Sequence, residues 1–182
     1  MKQHIVSALV ENRAGTLSRV SGLFSRRGYN IDSLTVGETA DASISRMTIA
    51  VSGEENVLEQ IIKQLGKLVD VIAVRELEGG SCLRREIMLV KVSADEKTRQ
   101  GILEIAGIFR SRVIDVSPQT ITIETTGDIE KLNGLVLLLR PYGILELART
   151  GLVALERGPL VLEVPAASGT AGEDGHGSGD SL

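Results

Sequence analysis

The stretch Leu9-Val-Glu-Asn-Arg-Ala-Gly-Thr-Leu17 holds the most chemistry, because a β-type run ends there and a helical stripe begins. The opening turn of a helix leaves N–H groups without intrahelical acceptors, and these carry partial positive charge. A glycine at that entrance, Gly15, lets an anion approach them closely. Asn12, just before the turn, offers an amide oxygen able to accept from an ammonium group. Carboxylate and ammonium on one carbon describe a free α-amino acid, so the segment fits a cradle for one. It also fits a plain tight turn, with Asn12 capping the loop and Gly15 admitting the bend, and the residues alone leave both readings open.

Other chemistry is sparse. No phosphate-binding loop, dinucleotide glycine fingerprint, nucleophile elbow or metal-binding His pair is present. Cys82 is the single cysteine, with no histidine near it in sequence, and reads as an inert thiol. It excludes an internal disulfide framework. His4 begins a strand pattern and reads as a hydrogen-bonded imidazole, while His176 falls in a Gly-rich tail. Glu54, Glu55, Asp95 and Glu96 sit where helices start and complement their dipoles. The sequence thus assigns no catalytic residue and no metal ligand.

The elements that must hold the cradle follow from hydrophobic period. Val6, Ala8 and Val10 alternate along a strand at His4–Val10. Leu17, Val20, Leu23 and Phe24 mark one face of a helix over Thr16–Arg27, ended by Gly28 as a left-handed cap. Two β-branched runs, Asn30–Val36 and Ile44–Val51, come next. Ser52-Gly-Glu-Glu55 reads as a capping box for a helix carrying Leu58, Ile61, Ile62 and Leu65, and Leu68–Leu77 reads as a closing strand. The order is βαββαβ, the ferredoxin-like arrangement.

After Glu78-Gly-Gly-Ser81 the pattern begins again. Glu86–Val92 is a strand, Ser93-Ala-Asp-Glu96 a second capping box, and Ile102, Ile105, Ala106 and Phe109 a helical stripe. Val113–Val116 and Thr120–Thr126 read as strands, Asp128–Arg140 as a helix and Gly143–Leu155 as one returning strand. Gly-Leu-Phe (22–24) with Ile31-Asp32 is echoed by Gly-Ile-Phe (107–109) with Ile114-Asp115, an internal duplication, although the second copy lacks the Gly28-Tyr29-Asn30 step. The expected architecture is α+β: two ferredoxin-like βαββαβ domains in tandem, with antiparallel sheets and helices on one face. The expected bounds are 1–78 and 84–158, with a linker at 79–83 and a flexible tail at 159–182, rich in Gly, Ala, Ser and acidic residues from Pro165 on.

Composition narrows the partners. Of 182 residues, two are Phe, two Tyr and none Trp, and the formal net charge is −4. An RNA-recognition module of this topology needs aromatics on its central strands, and His4–Val10 and Ile44–Val51 have none. The negative charge equally disfavours DNA and anionic lipid, so neither nucleic acid nor membrane is expected as a partner. A small hydrolase similar to acylphosphatase, with Arg13 clamping phosphate, would want an Asn on Ile44–Val51, which has none. No run of 18 apolar residues appears, and a cytoplasmic location is expected. Small sheets with open edges favour a two-fold homodimer.

Residues 11–20 (Glu-Asn-Arg-Ala-Gly-Thr-Leu-Ser-Arg-Val) and 22–31 (Gly-Leu-Phe-Ser-Arg-Arg-Gly-Tyr-Asn-Ile) closely resemble the ACT domain of acetolactate synthase small subunits. Ser33-Leu-Thr-Val36, Leu58-Glu-Gln-Ile61 and Lys67-Leu-Val-Asp-Val71 extend the likeness, as do Arg85–Lys91, Phe109-Arg110, Ile114-Asp-Val116 and Ala148-Arg-Thr-Gly151, so that it spans residues 2–158. The resemblance implies a regulatory subunit with no active site of its own. It implies a large catalytic partner that uses thiamine diphosphate, magnesium and FAD, whose activity this subunit raises and to which it confers feedback inhibition, most often by valine. The family's effector motif maps onto Asn12, Ala14, Gly15 and Leu17 of one protomer and Asn30 and Ile31 of its dimer partner. The second repeat has Ala94–Lys97 at the corresponding turn and is expected to lack the cradle. A free-standing tandem ACT sensor acting on another enzyme or regulator is the alternative the resemblance leaves open.

Overall fold

The computed structural model describes residues 2–78 and 80–164. The expected tail from Pro165 to Leu182 lies outside the described residues, and 159–164 carry neither helix nor strand. The first repeat runs β1 (Lys2–Glu11), α1 (Thr16–Arg27), β2 (Ser33–Glu38), β3 (Ile44–Gly53), α2 (Glu55–Leu65) and β4 (Val71–Glu76). The second runs β5 (Cys82–Ser93), α3 (Arg99–Ile108), β6 (Arg112–Val116), β7 (Thr120–Gly127), α4 (Ile129–Leu139) and β8 (Ile144–Arg149), followed by β9 (Val153–Glu156). Each repeat builds an antiparallel sheet of the same order, β2-β3-β1-β4 and β6-β7-β5-β8, while β9 pairs with the start of β5. The expected tandem of ferredoxin-like units is therefore the observed architecture.

Side-chain alternation explains the layers. Val6, Ala8 and Val10 of β1, with Met47, Ile49 and Val51 of β3, meet Val20, Leu23 and Phe24 of α1 and Leu58, Ile61 and Leu65 of α2. Each of these side chains larger than alanine contributes about 1.5–3 kcal/mol by burial. The second core repeats the plan, with Met88, Val90 and Val92 under Ile102, Ala106, Leu132, Leu135 and Leu139. The opposite face of β1 is covered as well: Ile5 packs with Leu77, Cys82 and Ala154, so the β5–β9 ribbon lies across the first sheet.

Several local expectations are corrected. Neither capping box forms. Ser52 stays in β3 and its hydroxyl donates to Asp32 Oδ2, and α2 begins after Glu54 with no side-chain cap. In the second repeat Asp95, not Ser93, accepts from the amides of Lys97 and Thr98, which delays α3 to Arg99. The strand expected over Gly143–Leu155 is two strands broken at Thr150-Gly151-Leu152, where Gly151 takes a left-handed φ of +87°. The closing strand of the first repeat starts at Val71 rather than Leu68. β5 begins at Cys82, so Cys82 and Leu83 are paired strand rather than linker. The missing Gly28 step is compensated by Arg110, which adopts a positive φ of 51° and turns the chain into β6 two residues sooner.

Candidate functional site

β1 ends with the Glu11 amide donating to the Asp70 carbonyl (2.8 Å) and the Asn12 amide to that of Ser43 (2.7 Å). The chain then reverses through Arg13 and Ala14 into Gly15, whose φ of +89° only glycine adopts without strain. In α1 the Thr16 amide donates to Arg13 O (3.3 Å) and the Arg19 amide to Gly15 O (3.0 Å). Among the described residues, the intervening amides of Leu17 and Ser18 have no acceptor. Asn12 donates through Nδ2 to Glu38 Oε1 (3.1 Å) and Ala42 O (2.8 Å), and among the described residues its own amide oxygen has no donor. Among the described residues the turn thus has unpartnered N–H donors at the start of α1 and an unpartnered carbonyl oxygen on Asn12, three residues before Gly15, the two halves of a zwitterion's complement.

The second repeat shows what such a turn looks like when filled. There the Asp95 carboxylate accepts from the amides of Lys97 and Thr98 and from the Thr98 hydroxyl. The Thr98 hydroxyl bond, then the backbone bonds, hold the Asp95 carboxyl below its ordinary range. No equivalent side chain fills the turn at Gly15, where α1 has no side-chain cap.

Asn12, Ala14, Gly15 and Leu17 come together at one end of the first sheet. Asn30 and Ile31 do not join them. Ser33 pairs with Ala50 while Glu38 pairs with Ser45, so β2 separates the two sets by about 17 Å. Asn30 donates to Asp32 Oδ1 (2.9 Å), and Ile31 packs half-buried on the first core.

Two residues at the turn escaped the sequence reading. Arg19 holds Asp70 side-on, Nε to Oδ2 at 2.5 Å and Nη2 to Oδ1 at 2.7 Å. The Asp70 side chain is 6% exposed, and the Arg19 guanidinium keeps its carboxyl below the usual range. Helical spacing places Arg19 one turn after Gly15, but nothing in a single sequence pairs positions 51 residues apart.

Elsewhere, His4 is buried and bonded through Nδ1 to Glu76 Oε1 at 3.0 Å. Glu55 lies close enough for the three to be possible metal ligands, but the Lys2 ammonium is 3.5 Å from its carboxylate and the His4–Glu76 pair is already made. Cys82 is a buried free thiol. A crevice of about 640 Å³ opens beside the contact between the repeats, lined by Ser33 and Leu34 of the first and Ile129, Arg149 and Gly151 of the second. Among the described residues no helix is long and apolar enough to cross a membrane.

Repeat order, sheet topology and the two element sets define a tandem of ferredoxin-like domains whose first member is of the ACT type. Residues 6–73 match the model of the AHAS small subunit-like ACT domain, and residues 85–158 that of the small subunit of acetolactate synthase. The acetolactate synthase small subunit of Mycolicibacterium smegmatis is 53% identical over 156 residues, covering 86% of this chain and 92% of that protein. That of Aquifex aeolicus is 46% identical over 158 residues, covering 86% and 82%. The crystal structure of the acetolactate synthase small subunit from Thermotoga maritima superposes with a TM-score of 0.83 at 40% identity, covering 88% of this chain and all of that one. The chain belongs to the acetolactate synthase small-subunit family, which implies a regulatory role beside a catalytic large subunit.

Proposed function

We propose that this chain senses a branched-chain amino acid, valine foremost, and makes the catalytic subunit of acetolactate synthase responsive to it. The observation that carries the reading is the contrast between the two repeats: the turn at Gly15 has unpartnered amides and no side-chain cap, whereas the second is filled by its own Asp95. In this reading the effector carboxylate meets the amides of Leu17 and Ser18 across Gly15, next to Ala14. Its ammonium meets the Asn12 amide oxygen, and its branched side chain lies against Leu17.

Asn30 and Ile31 enter from a second copy. β2 is an edge strand, and Asn12 bonds Glu38 at its far end. Antiparallel pairing of two β2 edges brings the start of one strand beside the end of the other. The partner's Asn30 and Ile31 then arrive next to Asn12. A site completed only by that arrangement stabilises it on binding, and the shift reaches the catalytic subunit as a coupling free energy of about 1–3 kcal/mol.

Calorimetric titration with valine, leucine and isoleucine, repeated on Asn12→Ala, tests the proposal. Saturable binding of at least one, weakened at least about ten-fold in the variant by loss of a charge-assisted hydrogen bond, is expected. Absence of binding by all three, or equal affinity in the variant, overturns it.

A further inference from the structure

Resting on the effector reading above, we propose that Arg19 is an effector-binding residue, its guanidinium held by Asp70 so that the remaining nitrogen, Nη1, receives the ligand's carboxylate.

Three observations meet at this side chain. Nε and Nη2 are both used on Asp70, and among the described residues Nη1 has no hydrogen-bond partner. Nη1 lies against the Gly15 turn, since a Cβ built on Gly15 would stand 3.2 Å from Nη1 and 3.8 Å from Cζ. The anchor is rigid and the head is not enclosed: the Asp70 side chain is 6% exposed and that of Arg19 is 49% exposed. A guanidinium fixed along one edge by a buried carboxylate has lost most of the rotamer freedom that an ordinary surface arginine would give up on binding. The same turn also holds a buried hydroxyl without a partner, Thr16 Oγ1.

The arrangement divides the labour. Backbone amides present oriented dipoles to the carboxylate, but they would do the same for any neutral acceptor. Arg19 contributes a full charge, so it makes the site select for the ionised carboxylate rather than for an amide or an alcohol. Gly15 then acquires a second role beyond its left-handed φ. Its missing side chain leaves open the space directly in front of Nη1.

The test is a two-by-two titration of the full chain with L-valine and L-valinamide, whose neutral amide replaces the carboxylate. The unmodified protein is expected to favour valine by roughly ten-fold or more, the size of one charge-assisted hydrogen bond. In Arg19→Gln that preference should shrink towards parity through loss of valine affinity, and Arg19→Lys should restore part of it. Because Arg19→Gln leaves Asp70 buried and unpaired, the pair is also neutralised together as Arg19→Gln with Asp70→Asn, and the same collapse of preference is expected. An undiminished valine-to-valinamide ratio in the double variant overturns the role of Arg19 while leaving the site intact. Failure of the unmodified protein to bind either compound instead removes the effector reading itself, and this proposal with it.

Discussion

The Leu152 amide donates to Ser33 Oγ at 2.8 Å, tying the break between β8 and β9 to the first residue of β2. Gly151, beside it, is held by Glu86 Oε1, which accepts from its amide at 3.3 Å, while Arg149 clamps the same carboxylate at 3.0 and 2.6 Å. A Cβ at Gly151 would stand 2.9 Å from both Ser33 Oγ and Thr35 Oγ1. The two repeats therefore meet where only a glycine fits, within three residues of Asn30.

Gly151→Ala should accordingly destabilise the protein by about 1–3 kcal/mol, from left-handed strain and overpacking together. Thermal unfolding reads this directly, and an unchanged midpoint would show that the joint yields freely. Ser33→Ala, which removes only the acceptor, should cost less, about 1 kcal/mol.

Gly15→Asp should abolish the effector response. The new carboxylate would sit at Arg19 Nη1 and occupy in cis the place proposed for the ligand's own. Aspartate tolerates a positive φ better than most residues, so the fold should survive with a loss of about 1 kcal/mol. Holoenzyme assembled with the variant should show a rate that no longer falls as valine is added. Inhibition matching the unmodified complex would remove Gly15 from the site.

Acid sensitivity should trace in part to Asp70. Its folded pKa is depressed by the Arg19 hydrogen bonds, so its stabilisation stands in full above the unfolded value of about 3.9. It is lost as pH falls from there through the lower folded value. Asp70→Asn should be less stable at neutral pH and should show a shallower decline below pH 4 in urea titrations. Parallel acid limbs for the two proteins would mean that the ion pair contributes nothing.

Core and surface should separate cleanly. Phe24 is 1% exposed and packs edge-on to Tyr29, with ring centroids 6.3 Å apart. Phe24→Ala should cost about 3–5 kcal/mol in chemical denaturation. Val69→Thr, at a position 89% exposed, should stay within about 0.5 kcal/mol. Comparable losses at both positions would contradict the packing described.

What was legible in the sequence was whatever hydrophobic period encodes. Val6, Ala8 and Val10 on a strand, and Leu58, Ile61 and Leu65 on a helix, lie in the core as their spacing predicts. Caps were less legible, because each had a competitor: Ser52 found Asp32, twenty residues away, and Asp95 rather than Ser93 became the acceptor, taking the amides of Lys97 and Thr98 further along. The break at Gly151 was hidden for a similar reason, since only contact with Ser33 and Thr35 explains why a run of β-type residues bends there. Asn12 and Gly15 could be picked out because strand-end and helix-start signals adjoin. Arg19 and Asp70 could not, because their pairing exists only once α1 and the segment before β4 are packed.

β5 belongs to both repeats at once. Its twelve residues run from Cys82, packed against Ile5 and Leu77, to Ser93 at the far end of the ladder with β7, a span of about 37 Å. In sequence, five residues, 77–81, stand between β4 and β5. The strand that packs on Ile5 and Leu77 at its start is thus the one that pairs with both β7 and β8 further on.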